Sequence, residues 1–265
     1  MMEEPTAAMN ENATRFELDE RQRAMLAEMG VRVWMPKTAP VVVPPVAKEL
    51  AASPSKDIST APPLLSVPIV DVTNLPTGIV NMDWPQLQTA VTACTSCGLS
   101  QYRQQAILGD GLVSANWMIV GDAPGEEEDQ NGRSFAGPAG QLLDNMLKAL
   151  SLTRDDVYLT HALKCRTPSG RNASQLEVSH CANYLSRQVA LVQPKVILAM
   201  GRTAALALLQ SAEPLGKLRS QVQSFQGVPV VVTYPPAYLL RNQADKAKAW
   251  ADLCLAASLV PSSST

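Results

Sequence analysis

From Trp84 onward the chain alternates unbroken apolar runs with segments whose apolar residues recur every three or four positions. WMIV (117–120) precedes QLLDNMLKAL, VYLT (157–160) precedes SQLEVSHCANYLSRQVALV, KVILAM (195–200) precedes GRTAALALLQ, and VPVVVT (228–233) precedes ADKAKAWADLCLAA. A short run that is apolar at every position suits a strand covered on both faces, and a three-to-four spacing suits a helix lying on such a sheet. The pattern predicts an α/β sandwich of buried parallel strands with helices on both faces. In such sheets ligands bind beyond the carboxyl ends of the strands, where the GDAPG, HALKC and YPPAY segments begin.

The chain before Trp84 reads differently. Nine of the twenty prolines fall between residues 35 and 80, which disfavours helix and sheet alike and predicts an extended linker. Ahead of it, LDERQRAMLAEMGVRVW places Leu18, Met25, Leu26 and Met29 on one helical face, with Asp19 and Glu20 suited to the first turn and Gly30 to the end. Such a helix is too short to be stable alone, so it must pack on the body or on a partner, through Leu26, Met29 and Trp34. The expected organisation is a head over 1–34, a linker over 35–82, one α/β domain over 83–258 and a short tail over 259–265.

Charge narrows the function. The 265 residues carry a formal charge of −2, which excludes a nucleic-acid binder acting through bulk positive charge. Residues 1–82 hold 7 Lys and Arg against 10 Asp and Glu, whereas 83–265 hold 15 against 14, so any nucleic-acid surface must be a local patch. No apolar stretch approaches the roughly 20 residues of a membrane helix, and the N-terminus lacks a basic and then apolar leader, so a cytoplasmic protein is expected. In that reducing compartment the cysteines point to metal ligation rather than disulfides.

Cys94 and Cys97 form a CxxC, and Cys165 and Cys181 lie far downstream with fifteen residues between them. Four thiolates can close either a tetrahedral zinc site or a [4Fe-4S] cluster, and spacing alone does not choose. Cys254, on the apolar face of the last helix, reads as a core cysteine. Between Ile119 and Gly140 stands IVGDAPGEEEDQNGRSFAGPAG, with four carboxylates in a row, which taken alone reads as a solvated, glycine-studded loop.

Taken in order, CTSCGLSQYRQQAILGDG, IVGDAPGEEEDQNGRSFAGPAGQLLDNML, YLTHALKCRTP, Cys181 and GKLRSQVQSFQGVPVVVTYPPAYLLRN resemble the iron-sulfur family 4 uracil-DNA glycosylases over residues 84–257. The resemblance implies a three-layer α/β sandwich around a central, mostly parallel four-stranded sheet. It favours a structural [4Fe-4S] cluster on Cys94, Cys97, Cys165 and Cys181, and it implies uracil-containing DNA as the substrate. By similarity to the family's GExPGxxED pattern, Asp122 and Glu128 match the catalytic carboxylates, with Asp129 beside them and Asp122 one methylene shorter than the usual Glu. Ala123, Phe135 and His161 match base-binding positions, Phe135 being the aromatic that stacks on uracil.

Two positions depart from the pattern. His161 stands where the family has Asn, whose amide pairs with the uracil edge through one donor and one acceptor; the two nitrogens of an imidazole diverge and cannot copy that contact. Pro235 stands where the family has His, the donor to uracil O2, and proline has neither a side-chain proton nor a backbone N–H. His161 either takes over that role or is an ordinary hydrogen-bonded histidine. Lys164, Arg166, Arg171, Lys217, Arg219 and Arg241 are expected to meet DNA phosphates, and Leu239 and Leu240 to wedge into the vacated base stack.

A second reading keeps the fold and drops the reaction. RQRAMLAEMGVRVW resembles, over a short stretch, the N-terminal segment of the psi subunit of the bacterial DNA polymerase III clamp loader, which implies a chi-like partner for residues 18–34 and a replisome role. By itself the protein is expected to be a monomer.

Overall fold

The computed structural model describes residues 78–168 and 171–260; the predicted head helix, and the linker up to residue 77, lie outside the described residues. Helix α1 (Trp84–Thr92) leads to β1 (Asp110–Gly111), β2 (Trp117–Gly121), α2 (Glu126–Asn131), α3 (Gly137–Ala149) and β3 (Val157–His161). Then follow α4 (Gln175–Val192), β4 (Val196–Met200), α5 (Arg202–Leu209), α6 (Leu215–Leu218), β5 (Val222–Phe225), β6 (Val228–Thr233), α7 (Pro236–Arg241) and α8 (Lys246–Ser258).

The four predicted strands form the centre of one sheet, ordered β1-β3-β2-β4-β6-β5, and β3, β2, β4 and β6 run parallel. Every residue of β2, β3 and β4 is buried, as their largely apolar composition requires, with Thr160 and His161 the polar exceptions at the end of β3. Alternate side chains feed two cores. Met118, Val120, Ile197, Ala199, Val230 and Val232 face α4 and α5, whereas Trp117, Ile119, Leu159, Leu198 and Val231 face α3 and α8. This is the expected three-layer sandwich.

The sheet is wider than the four predicted strands, because β1 and β5 add short antiparallel edges. Only two residues make β1, and the four of β5 alternate exposed with half-buried, so neither carries an apolar run to mark it. The long helix α4 is opened by a capping box between Ser174 and Glu177. Its buried stripe is Val178, Cys181, Tyr184 with Leu185, Gln188 with Val189, and Val192, which carries Cys181 inward. On α8 the buried stripe is Ala249, Asp252, Leu253 and Ala256, one step of about 100° from Cys254, which is therefore exposed rather than the core cysteine expected.

Candidate active site

Parallel strands deliver their carboxyl ends to one edge of the sheet, and there a cavity of about 460 Å³ opens between the segments after β2, β3 and β6. Its lining includes Asp122, Ala123, Glu128, Phe135, His161, Pro235 and Arg241. Gly121 and His161 are register partners on neighbouring strands. A Cβ at Gly121 would stand 2.8 Å from His161 Cδ2 and 2.9 Å from Phe135 Cζ, so both rings use the space that glycine leaves.

The run EEED is a helix. Glu126, Glu127, Glu128 and Asp129 form the first turn of α2, where negative charge meets the positive end of the helix dipole and the free N–H groups. That interaction stabilises a carboxylate run which, read as charge alone, suggests a solvated loop. The helix also sorts the four side chains. Asp129 is fully buried and turned from the cavity, accepting from Gln104 N–H (2.9 and 3.0 Å to its two oxygens) and Gln105 N–H (3.2 Å). Glu128 faces the cavity, its Oε1 lying 3.3 Å from His161 Nε2 and its Oε2 accepting from Gly125 N–H. Burial alone would raise the Glu128 carboxyl, but the contacts from His161, Gly125 and Phe135 outweigh it and hold the group below its ordinary value.

Asp122 has a second duty. Its Oδ1 accepts from Thr203 N–H (2.7 Å) and Ala204 N–H (3.0 Å) at the start of α5, whose own N-cap residue, Gly201, has no side chain to offer. A Cβ on Gly201 would fall 2.1 Å from Asp122 Oδ2, so the missing side chain of one residue is the seat of the other's carboxylate. Burial dominates its ionisation and leaves the Asp122 carboxyl raised despite those hydrogen bonds.

Phe135 is buried and adopts φ of 53°, a left-handed conformation uncommon for a bulky residue. Arg154 holds it there, donating from Nη2 to Phe135 O (2.7 Å) and from Nη1 to Ser134 O (3.1 Å), while its Nε donates to Asp144 (2.6 Å). The Phe135 ring stacks on the His161 imidazole, with centroids 4.7 Å apart and planes 23° apart. His161 Nδ1 is buried and has no hydrogen-bond partner among the described residues.

Beyond His161 the chain runs through Ala162, Leu163 and Lys164 to Cys165, which enters a second cavity lined by Cys94, Cys97, Cys165 and Cys181. Arg103 closes it, donating to Cys165 Sγ (3.0 Å), Thr92 O (2.7 Å) and Cys94 O (3.0 Å). Burial pushes the Cys181 thiol up to about 12 and raises Cys97 and Cys165 as well. Cys94 moves the other way: burial opposes its ionisation, but contacts from Ser96 and Tyr184 prevail. The four thiols face one space, beside the positive charge of Arg103, which suits a metal group held by thiolates.

A model of the uracil DNA glycosylase superfamily matches residues 108–254. The type-4 uracil-DNA glycosylase of Pyrobaculum aerophilum is 38% identical over 184 residues, covering 66% of this chain and 93% of its own. Those of Sulfurisphaera tokodaii and Thermotoga maritima are 37% identical over 166 residues (59% of this chain, 76% of theirs) and 35% over 158 (59% and 82%). The chain belongs to the uracil DNA glycosylase superfamily.

In this superfamily member several residues expected on the DNA surface lie inside. Lys164 is fully buried; its ammonium donates to Thr160 Oγ1 (2.8 Å) and His161 O (2.6 Å), and burial pushes it down to about 7 against the pull of Cys181 and Cys165. Arg219 is 8% exposed, donates to Asp252 Oδ2 (2.7 Å) and Lys248 O (2.6 Å), and lies 4.5 Å above the Tyr234 ring, steadying the segment that leads to Pro235. Leu239 packs in the core between the sheet and α8, leaving Leu240 as the exposed leucine of the pair. Neither basic group can reach a phosphate, and Leu239 cannot wedge between bases, because each is consumed by packing. Arg166 remains part-exposed, 3.8 Å from Glu126, and Arg241 is exposed at the rim of the cavity. Arg103 and Arg154 escaped the sequence reading, since each acts on groups remote in the chain, and Asp129, read beside the catalytic carboxylates, instead braces the backbone of Gln104 and Gln105.

Proposed function

We propose that this protein is a uracil-DNA glycosylase. A uracil nucleotide turned out of DNA enters the cavity at the strand ends, its N-glycosidic bond is hydrolysed, and an abasic site is left. The observation that carries this reading is that the segment after β2, with Asp122, Ala123, Glu128 and Phe135, meets His161 of β3 around one cavity. Superfamily membership and the type-4 relatives support it. An enzyme of this kind works with DNA in the cytoplasm.

Breaking the bond builds positive charge on the sugar and negative charge on the departing base, so carboxylates beside the sugar can stabilise an oxocarbenium-like centre or hold the attacking water. Asp122 is assigned that place, and its raised carboxyl suits a group that must take up the water proton. Glu128, held ionised, orients His161. Phe135 offers its flat apolar face to the base. Pro235 supplies no proton to the base oxygen, so turnover falls by about 10²- to 10³-fold relative to a site with that donor. Arg166 and Arg241 meet the flanking phosphates.

Cys94, Cys97, Cys165 and Cys181 would hold a [4Fe-4S] cluster, which when bound braces the surrounding segments. The four thiols line one cavity beside Arg103, and the resemblance to the iron-sulfur glycosylases favours the cluster over zinc. The segment 18–34 on its proline-rich tether serves partner docking and takes no part in the chemistry.

The test is a gel assay on a single-stranded oligonucleotide with one uracil, cleaved by alkali after incubation with the full chain. A fragment ending at the uracil position is expected, together with about four iron atoms per chain. Intact oligonucleotide at enzyme excess overturns the catalytic reading, and iron-free protein purified without oxygen overturns the cluster.

A further inference from the structure

Lys164 is a basic side chain without a carboxylate. It is fully buried, and among the described residues no Asp or Glu pairs with it. Its ammonium donates to two neutral groups, Thr160 Oγ1 at 2.8 Å and the His161 carbonyl at 2.6 Å. A buried charge is costly unless a counter-charge stands close by. The cysteine cavity supplies one. Lys164 lines it together with Cys94, Cys97, Cys165 and Cys181, and the charge on the sulfurs of Cys181 and Cys165 acts on the ammonium. Four thiolates outweigh the positive charge of a zinc ion or of an iron-sulfur core, so the cavity is net negative once a metal group is held there. The same lysine grips the other side of the segment. Its two acceptors belong to the last two residues of β3; Thr160 Oγ1 donates onward to Leu108 O (2.7 Å), and Lys164 O accepts from Ile107 N–H (2.8 Å). His161 in turn meets Glu128 at 3.3 Å and stacks on Phe135 in the acidic pocket.

We infer that Lys164 is a positioning residue: its ammonium is the counter-ion of the metal group and, through the His161 carbonyl, ties retention of the metal to the arrangement of the pocket. This rests on the glycosylase reading above, with its cluster on the four cysteines, and deepens it. Attraction to the metal group holds the ammonium, and the ammonium fixes where the end of β3 lies, so the metal and a ligand in the pocket favour the same arrangement. Linkage of this kind is reciprocal. If the metal favours the arrangement that binds DNA, DNA in the pocket favours retention of the metal. A lysine that only fills space would carry no such link. Arg103 cannot replace it, because its guanidinium is spent on Cys165 Sγ, Thr92 O and Cys94 O and donates to no residue of the acidic pocket.

The test uses the full iron-loaded chain, purified without oxygen, as the parent and as Lys164→Met and Lys164→Gln. Methionine keeps an unbranched stem without the charge, and glutamine keeps a donor for His161 O without the charge. Loss of iron to a chelator is followed with and without a saturating single-stranded oligonucleotide that contains uracil. Both variants are expected to lose iron about 10- to 100-fold faster than the parent, the range for removing a group that supports metal ligands. The oligonucleotide should slow iron loss about fivefold or more in the parent and leave it unchanged in Lys164→Met, with Lys164→Gln between the two. Should Lys164→Met not fold, Lys164→Gln carries the comparison. Iron loss at the parental rate in the variants, or equal protection by DNA in all chains, overturns the inference and leaves the glycosylase reading intact. Loss of the fold in both variants also overturns it, since Lys164 would then be a requirement of folding and not a link. A parent that holds no iron overturns the cluster and this inference together, whereas a parent that holds iron and cleaves no uracil strand overturns the catalytic reading.

Discussion

The cysteine cavity and the acidic pocket flank one five-residue segment, from His161 to Cys165, yet they differ in how they are built. On the cysteine side all four thiols expected from the spacing face one space, and the neighbouring cations, Arg103 and Lys164, are spent on sulfur, hydroxyl and carbonyl groups. On the pocket side the groups are doubly employed or replaced. Asp122 caps a helix while lining the cavity, Glu128 restrains a histidine, and Pro235 lines the cavity where the resemblance implies a proton donor. Under the proposed function one side is scaffold, its alterations to be read as stability, and the other is chemistry, its alterations to be read as rate.

The contrast is sharpest for Arg219, which sequence reasoning assigned to DNA. Truncating one partner of a buried ion pair leaves the other charge unmatched, so Arg219→Ala should cost about 3–5 kcal/mol in urea unfolding. A variant as stable as the parent, with weaker salt-dependent DNA binding, would return Arg219 to the DNA surface. Next, Pro235→His should raise single-turnover excision of uracil by about 10²- to 10³-fold without a change in unfolding midpoint. An unchanged rate would mean that the position of Pro235 needs no proton donor.

Arg103→Ala should cost about 1–3 kcal/mol and release iron faster, because it removes the donor to Cys165 Sγ and to two carbonyls. Asp122 separates its two roles by paired substitution. Asp122→Ala should lose excision and about 0.5–2 kcal/mol, while Asp122→Asn keeps an acceptor for Thr203 and Ala204 and should lose excision alone. Equal destabilisation in both would count against the cap.

The smallest effect concerns acid. The folded-state value of Glu128 is lowered, so its contribution is complete above the ordinary glutamate value of 4.5 and fades as pH falls through the folded value. The parent should therefore lose more stability than Glu128→Gln between neutral pH and pH below about 4, measured by thermal unfolding. Parallel losses would mean that the contact with His161 contributes nothing.

Much of this was legible in the chain. Four apolar runs marked the central strands because a strand buried on both faces must be apolar at every position, and the parallel sheet followed from the helices between them. The edge strands β1 and β5 were illegible, since a half-exposed edge carries no such run. The acidic run was visible as charge but not as a helix turn, because its stability comes from the dipole and free N–H groups that only the formed helix possesses.

Residue type and spacing alone determined the layered α/β body and the four thiols as a set, since each is a property of the covalent chain, and the resemblance to the iron-sulfur glycosylases marked the departures at His161 and Pro235. Burial is not such a property. Lys164, Arg219 and Leu239 carry the same side chains whether they face solvent or core, and only packing spent them on interior contacts. The orphaned Nδ1 of His161 likewise exists only because folding brings Glu128 to the other nitrogen and closes the ring against Phe135.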